Sequence, residues 1–201
     1  MATLTRDSII QAADTLFYEQ GFEHTSFSHI AEAVNISRGN FYHHFKTKDE
    51  ILTAVVAERL ERTRDMLAQW EAEGESAQKR IELFITLLVR NQSKIMRHGC
   101  PVGSLCMELA KLKHPGQDEA NAVMDIFRVW LRGQFEEMGR GKDADALALH
   151  LLARSQGVAV LAQSLRDKNF VREEVDLMIA WVQSCASPKK PAGKAALGRS
   201  R

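Results

Sequence analysis

Helical periodicity is the feature of this sequence that most restricts its fold. Apolar residues recur every three or four positions along most of the 201 residues, and the strict apolar–polar alternation typical of strands is scarce. Proline disrupts helix interiors, and here it occurs only at Pro101, Pro115, Pro188 and Pro191. We therefore expect an all-α fold built from amphipathic helices.

Start and stop signals divide the first quarter of the chain into short helices. Gly21 is expected to end the first helix, because glycine adopts the left-handed backbone of a helix C-terminus at little cost. Thr25 or Ser26, and then Ser37, are candidate caps for two short helices. Asn35 tolerates the left-handed backbone that a tight turn between these helices needs.

Longer helices are predicted in the rest of the chain. Thr47 and Glu50 form a capping-box pattern that opens a helix reaching about residue 67 or 70. Later helices are predicted at about 77–96, 102–112, 117–138, 143–166 and 172–185. We expect residues 1–50 to form one domain and residues 51–186 a second. The basic segment 187–201 is expected to be disordered, because it has almost no large apolar residue.

Two short helices joined by a tight turn, between residues 25 and 45, are typical of a helix-turn-helix unit. A set of apolar side chains is expected to fix the second short helix against its neighbours: Phe27, Ile30, Ala31, Val34, Ile36, Phe41 and Phe45. Hydrogen-bonding side chains then remain outside, on a helix of the width that the DNA major groove admits: Ser37, Arg38, Asn40, Tyr42, His43 and His44. The alternative is the solvated polar face of a small helical bundle.

The chemistry of these outer side chains suits DNA. Arg38 can pair with guanine and Asn40 with adenine, and four others suit phosphate groups: Tyr42, Lys46, Thr47 and Lys48. His43 and His44 are adjacent on a helix and therefore point apart, so no metal site is expected there. Metal ions and other cofactors are not expected elsewhere in the chain either.

Overall charge does not by itself indicate a nucleic-acid binder. The net charge is +1, and residues 1–50 hold four Lys and Arg residues against seven Asp and Glu residues. DNA binding must therefore depend on where individual charges lie. An architectural DNA binder without an effector is an alternative, but the poorly basic N-terminal part argues against it, because such binding depends on phosphate attraction.

The segment 21–52 resembles the DNA-binding domain of the TetR family of repressors. The matching pieces are Gly-Phe at residue 21, Thr25 with Ile30-Ala31, Val-x-Ile-Ser-x-Gly-x-Phe-Tyr-x-His-Phe from residue 34, and Lys-x-Lys-Asp-Glu-Ile-Leu from residue 46. The resemblance implies a homodimer that holds a palindromic operator and releases it when a ligand enters the C-terminal domain. By position it implies phosphate contacts at Ser26, Tyr42 and Lys48, and base contacts at Ser28, Arg38, Gly39, Asn40 and His43.

The segment 99–109 resembles a Gly-Cys-x-x-Gly-x-Leu segment in a subgroup of that family, which includes electrophile- and oxidant-responsive repressors. Cys100 stands at a predicted helix start, where the helix dipole favours a reactive thiolate. The alternative is that Cys100 and Cys106 are small apolar residues packed beside a ligand cavity. Three cysteines in the chain are too few for a disulfide framework.

A pocket for a small, apolar or electrophilic effector is expected between the long helices of the C-terminal half. Its candidate lining residues are Leu60, Trp70, Phe84, Leu88, Cys100, Cys106, Met107, Phe127 and Trp130, each of which has ordinary core packing as its alternative. Glu108 and Arg128 are the charged residues expected to orient an effector. The last two helices are predicted to dimerise through small residues at positions 153, 157, 159 and 162 and an apolar face formed by residues 175, 178, 179 and 182. The alternative is that both faces are buried within one chain.

Several other classes of protein are disfavoured. The sequence has no Gly-x-Gly-x-x-Gly, Walker loop, His-Glu-x-x-His or nucleophile elbow, so an enzyme is the less favoured reading. No apolar run reaches the roughly 18 residues of a membrane span, and no secretory signal is recognisable. We therefore expect a cytoplasmic protein whose partners are double-stranded DNA, a second copy of the chain and a small molecule.

Overall fold

The computed structural model describes residues 2–186, and over that range the chain is all-α with no strand. Its helices are α1 (Ala2–Gln20), α2 (Phe27–Ala33), α3 (Arg38–His44), α4 (Lys48–Glu73), α5 (Ala77–Arg90), α6 (Gln92–His98), α7 (Pro101–Leu112), α8 (Gln117–Glu137), α9 (Ala144–Leu165) and α10 (Lys168–Cys185). The predicted fold class is confirmed. The basic segment predicted at 187–201 lies outside the described residues. None of the helices in the described part combines the length and apolar composition needed to cross a bilayer.

Local signals place the short helices where the sequence predicted them. Gly21 and Asn35 adopt positive φ angles of 91° and 52°, and these residues end α1 and form the turn between α2 and α3. Ser26 and Ser37 cap α2 and α3 with their hydroxyl groups. Thr47 caps α4, but the predicted capping box is only half formed, because Glu50 accepts from the N–H of Lys46 (2.7 Å) instead of that of Thr47.

Three predicted helix bounds differ from the structure. The helix predicted at 77–96 is two helices, α5 and α6, because Asn91 leaves helical geometry (ψ 8°) and serves as the cap between them. α10 begins at Lys168 instead of about residue 172, since the Asp167 carboxylate accepts from two N–H groups of its first turn. α4 continues to Glu73, beyond the predicted end at 67–70.

One apolar cluster runs through both parts of the molecule, from Ile9 in α1 to Cys185 in α10. α1, α2 and α3 pack together at one end of α4, which has 26 residues and is therefore about 39 Å long. Beyond this point α4 and α7 pack on α8, α8 packs on α9, and α5 packs on α10. α4 is thus the continuous element that joins the N-terminal helices to the C-terminal bundle.

Candidate nucleic-acid interface and effector cavities

α3 is held by apolar side chains on its inner side. Phe41 and Phe45 are 1% and 3% exposed, and the Phe41 ring lies 5.0 Å from that of Phe27. The Ser37 hydroxyl accepts from the N–H of Asn40 (3.2 Å) and fixes the start of the helix. Such a short helix is not stable alone, so this packing is what holds its outer face in place.

The predicted interface residues lie mostly on that outer face. Eight of them are exposed: Ser37, Arg38, Gly39, Asn40, Tyr42, His43, Lys46 and Thr47. Ser26 is exposed at the start of α2, while Ser28, His44 and Lys48 are partly buried. The Arg38 guanidinium donates to the Ser28 hydroxyl (2.8 Å), which links α3 to α2 and orients the arginine on the surface.

The lysines predicted to contact phosphate differ in their surroundings. The Lys48 ammonium lies 4.3 Å from the centre of the Phe22 ring and donates to the carbonyl groups of Phe22 (3.0 Å) and Glu23 (3.2 Å). It therefore ties the start of α4 to the loop after α1. The Lys46 ammonium donates to the Tyr42 carbonyl at the end of α3 and remains exposed.

Ser26 was a candidate cap of α2, but the part that His29 takes in this cap was not predicted from the sequence. The His29 N–H donates to the Ser26 hydroxyl (3.2 Å), and the Ser26 N–H donates to His29 Nδ1 (3.3 Å). The spacing is that of a capping box, but histidine takes the place of the usual Glu or Gln. The sequence pattern of a capping box is therefore absent at this helix start.

Glu108 on α7 connects the two halves of the chain. Its carboxylate accepts from the N–H groups of Phe22 and Glu23, both at 2.9 Å, in the loop between α1 and α2. Glu108 was predicted to orient an effector, but these two hydrogen bonds occupy its carboxylate. Arg128, the other residue predicted for that role, is paired with Asp145 (2.7 Å).

The start of α7 has its own contacts with the N-terminal helices. Tyr18 on α1 donates to the Gly99 carbonyl (2.8 Å), and burial raises the pKa of Tyr18 to about 12, so that it is a neutral donor at ordinary pH. Buried Arg59 on α4 binds both Asp14 (2.6 Å) and the Pro101 carbonyl (2.8 Å). The start of α7 is therefore attached to α1 and α4, and Glu108 attaches the second half of α7 to the loop before α2.

The residues predicted to line one effector pocket are distributed over three cavities and the core. Phe127 borders a cavity of about 600 Å³ between α1, α4, α5, α6, α7 and α8. Trp130 borders a cleft of about 590 Å³ between α4 and α8. Cys100, Cys106 and Met107 border a cavity of about 230 Å³ between α7 and α9. Trp70, Phe84 and Leu88 are buried, and Leu60 packs partly buried against the core.

The two cysteines of α7 have different surroundings. Cys100 is the N-cap of α7, and its sulfur accepts from the N–H of Gly103 (3.4 Å). Burial raises the pKa of the Cys106 thiol, and its sulfur donates to the Ala120 carbonyl (3.5 Å). Cys106 is therefore a neutral, packed thiol. Cys100 lies at the start of α7, as the sequence indicated.

The small residues of α9 divide between two faces. Ala159 and Ala162 are buried within the chain, whereas Ala153 and Gly157 are exposed. A Cβ built on Gly157 would meet no atom within 4 Å, and exposed leucines and a valine flank this face: Leu149, Val160, Leu161 and Leu165. The apolar face predicted for α10 packs inside the chain, since Val175, Met178 and Val182 are buried.

Comparison with known proteins identifies the N-terminal unit. Residues 9–55 match the family described as "Bacterial regulatory proteins, tetR family". The HTH-type transcriptional regulator TtgR of Pseudomonas putida is 28% identical in an alignment 170 positions long, which covers 77% of this chain and 78% of TtgR. The HTH-type transcriptional repressor DhaR of a Mycobacterium species is 24% identical in an alignment 198 positions long, which covers 92% of this chain and 94% of DhaR.

The fold agrees with this comparison. The structure of SCO4454, a TetR-family transcriptional regulator from Streptomyces coelicolor, superposes with a TM-score of 0.79 at 20% identity. The match covers 92% of this chain and 90% of that one, so the architecture is shared along nearly the whole length.

Proposed function

Since the chain belongs to the tetR family of bacterial transcriptional regulators, we propose that it represses transcription as a homodimer that releases its operator when a small molecule binds. DNA binding and transcription regulation are the activities of this family. The palindromic operator, the dimer and the effector are the parts that we propose. Regulation of this kind needs no catalytic group, and we propose none.

The braced outer face of α3 is the observation that carries the proposal. Phe41 and Phe45 are buried beneath it, while Arg38, Asn40 and Tyr42 face solvent. A helix fixed in this way presents hydrogen-bonding groups to base edges without first having to become ordered, which lowers the entropic cost of binding.

The exposed small-residue face of α9 supports dimerisation. At Gly157 and Ala153 a second helix could approach closely, and Leu161 and Leu165 (47% and 60% exposed) would lose their exposure to water. A twofold dimer would present two copies of α3, and such pairs read half-sites about one DNA turn apart.

The attachments of α7 support coupling between effector and DNA. Glu108 binds the loop after α1. The Gly99 carbonyl accepts a hydrogen bond from α1, and the Pro101 carbonyl accepts one from α4. A ligand that displaces α7 would therefore displace α2 and α3 in each subunit and change the spacing of the two recognition helices. A coupling free energy of about 1–3 kcal/mol would weaken operator binding by roughly 5- to 150-fold.

Replacement of Arg38 by alanine tests the DNA contact. An unbiased selection from random duplexes by the wild-type dimer should yield a palindromic site. Arg38→Ala should weaken binding to that site by about 1–3 kcal/mol and relax the preference at one position of each half-site, as measured by fluorescence anisotropy at fixed salt.

Arg90→Ala is the matched control, because Arg90 is an exposed arginine of α5 far from α3 in the sequence. It should bind the selected site as the wild-type protein does. If the selection yields no preferred sequence, or if Arg38→Ala binds unchanged, the proposed function is wrong.

Replacement of Glu108 by alanine tests the attachment of α7. Loss of two hydrogen bonds to a carboxylate should speed amide hydrogen exchange at Phe22 and Glu23 by about 10-fold, measured by NMR or mass spectrometry. Glu136→Ala removes the same charge from an exposed site on α8 and should leave exchange in this loop unaltered. Equal exchange in both variants would show that Glu108 does not hold the loop.

A further inference from the structure

The cavity of about 600 Å³ is partly open to solvent, and it is lined by residues of both the N-terminal helices and the C-terminal half. Its walls include Tyr18 of α1, Arg59 of α4, His98 of α6 and Val102 of α7. A volume of this size suits a small organic molecule. An occupant would lie against the same tyrosine and arginine that attach α7 to α1 and α4.

The chemistry of the walls is divided between an apolar part and a charged part. Apolar side chains come from α4, α5, α7 and α8: Met66, Leu87, Val102, Val123 and Phe127. Four cations line the cavity, from α4 (Arg59, Arg62) and α6 (Lys94, Arg97), together with two carboxylates of α1 (Asp14, Glu19). The lining therefore has an excess of two positive charges.

The two cations of α6 that line the cavity are available to pair with a ligand. Asp14 is bound by both Arg59 (2.6 Å) and Arg62, so its charge is already compensated. Within residues 2–186, neither Lys94 nor Arg97 forms an ion pair, and both are exposed at the rim of the cavity. Glu19 of α1 also lines the cavity, and within the described residues it is exposed and forms no ion pair.

We propose that this cavity binds an anionic amphiphile, a molecule with a carboxylate and an apolar body. The carboxylate pairs with Lys94 and Arg97, and the apolar body packs against Phe127, Val123 and Val102. Charge-assisted hydrogen bonds to a carboxylate are stronger than neutral ones, and the apolar walls supply most of the buried area. This inference rests on the proposed function, because it names the chemical class of the effector.

Binding of naphthalene-2-carboxylate and of its neutral isostere naphthalene-2-carboxamide tests the inference without DNA. Isothermal titration of the full chain should show the carboxylate binding about 10-fold more tightly, the value expected for a charge-assisted contact. The double variant Lys94→Gln/Arg97→Gln should lose this preference and keep the affinity for the carboxamide.

Lys111→Gln/Lys142→Gln is the matched control, since it removes the same charge from exposed lysines outside the cavity lining. It should retain the preference for the carboxylate. Absence of carboxylate binding, equal affinity for the two compounds, or an unchanged preference in Lys94→Gln/Arg97→Gln would each overturn the inference. These titrations contain no operator, so failure here leaves the DNA selection as a separate test of the proposed function.

Discussion

Replacement of Phe41 by alanine is expected to lower the free energy of unfolding by about 3–5 kcal/mol and to abolish specific DNA binding. Phe41 is 1% exposed and contacts the rings of Phe27 and Tyr42 from the inner side of α3. Its removal leaves a cavity beneath a seven-residue helix whose other large buried side chain, Phe45, lies at the C-terminal end. Urea unfolding followed by circular dichroism, together with anisotropy on the selected duplex, would measure both effects.

Tyr42→Phe is the control for this substitution. Tyr42 is 47% exposed, so loss of its hydroxyl group should leave the unfolding free energy within about 0.5 kcal/mol of wild type. If Phe41→Ala unfolds at the wild-type urea concentration, the inner packing of α3 is not what holds the recognition face.

Replacement of Gly157 by arginine is expected to convert the proposed dimer into a monomer and to weaken operator binding on the order of 100-fold, because two linked half-sites gain affinity through effective concentration. Within the subunit the new side chain meets open space, since a Cβ at Gly157 has no neighbour within 4 Å. Arginine also favours helix more than glycine does. The fold should therefore survive while the approach of a second α9 is blocked.

Gly133→Arg provides a closely matched comparison. Gly133 is a glycine inside α8 whose added Cβ also meets nothing within 4 Å. Sedimentation velocity should give a dimer for this variant and a monomer for Gly157→Arg. A dimeric Gly157→Arg protein would exclude the α9 face as the interface.

Local sequence signals were sufficient to predict the helix-turn-helix, because its caps and its turn depend on residues that are close in the chain. Ser37 with Asn40 and Thr47 with Glu50 are separated by three positions, and Asn35 acts through its own backbone angles. The break at Asn91 was missed, because one asparagine inside a strong apolar repeat is a weak signal.

Contacts between distant residues could not be predicted from one sequence. The Glu108 carboxylate and the Phe22 amide are 86 positions apart, and nothing local marks them as partners. Which apolar residues line a cavity also depends on such distant contacts. Trp70 and Phe84 are large apolar residues of the kind that line pockets, but in this fold they are buried in the core. On α9 the small residues fall on two faces, because each residue turns the helix by about 100°.

The attachment of Glu108 to the loop after α1 bears on the engineering of chimeric regulators. A chimera cut at residue 50 would separate Phe22 and Glu23 from the carboxylate that holds them, and Tyr18 from the Gly99 carbonyl. A fusion of α1–α3 to another C-terminal domain would therefore have to include α7 as well. Otherwise the corresponding helix of that domain would have to be redesigned to make the same contacts. The part of the chain that has to be exchanged together thus consists of two segments that are far apart in the sequence, the N-terminal helices and α7.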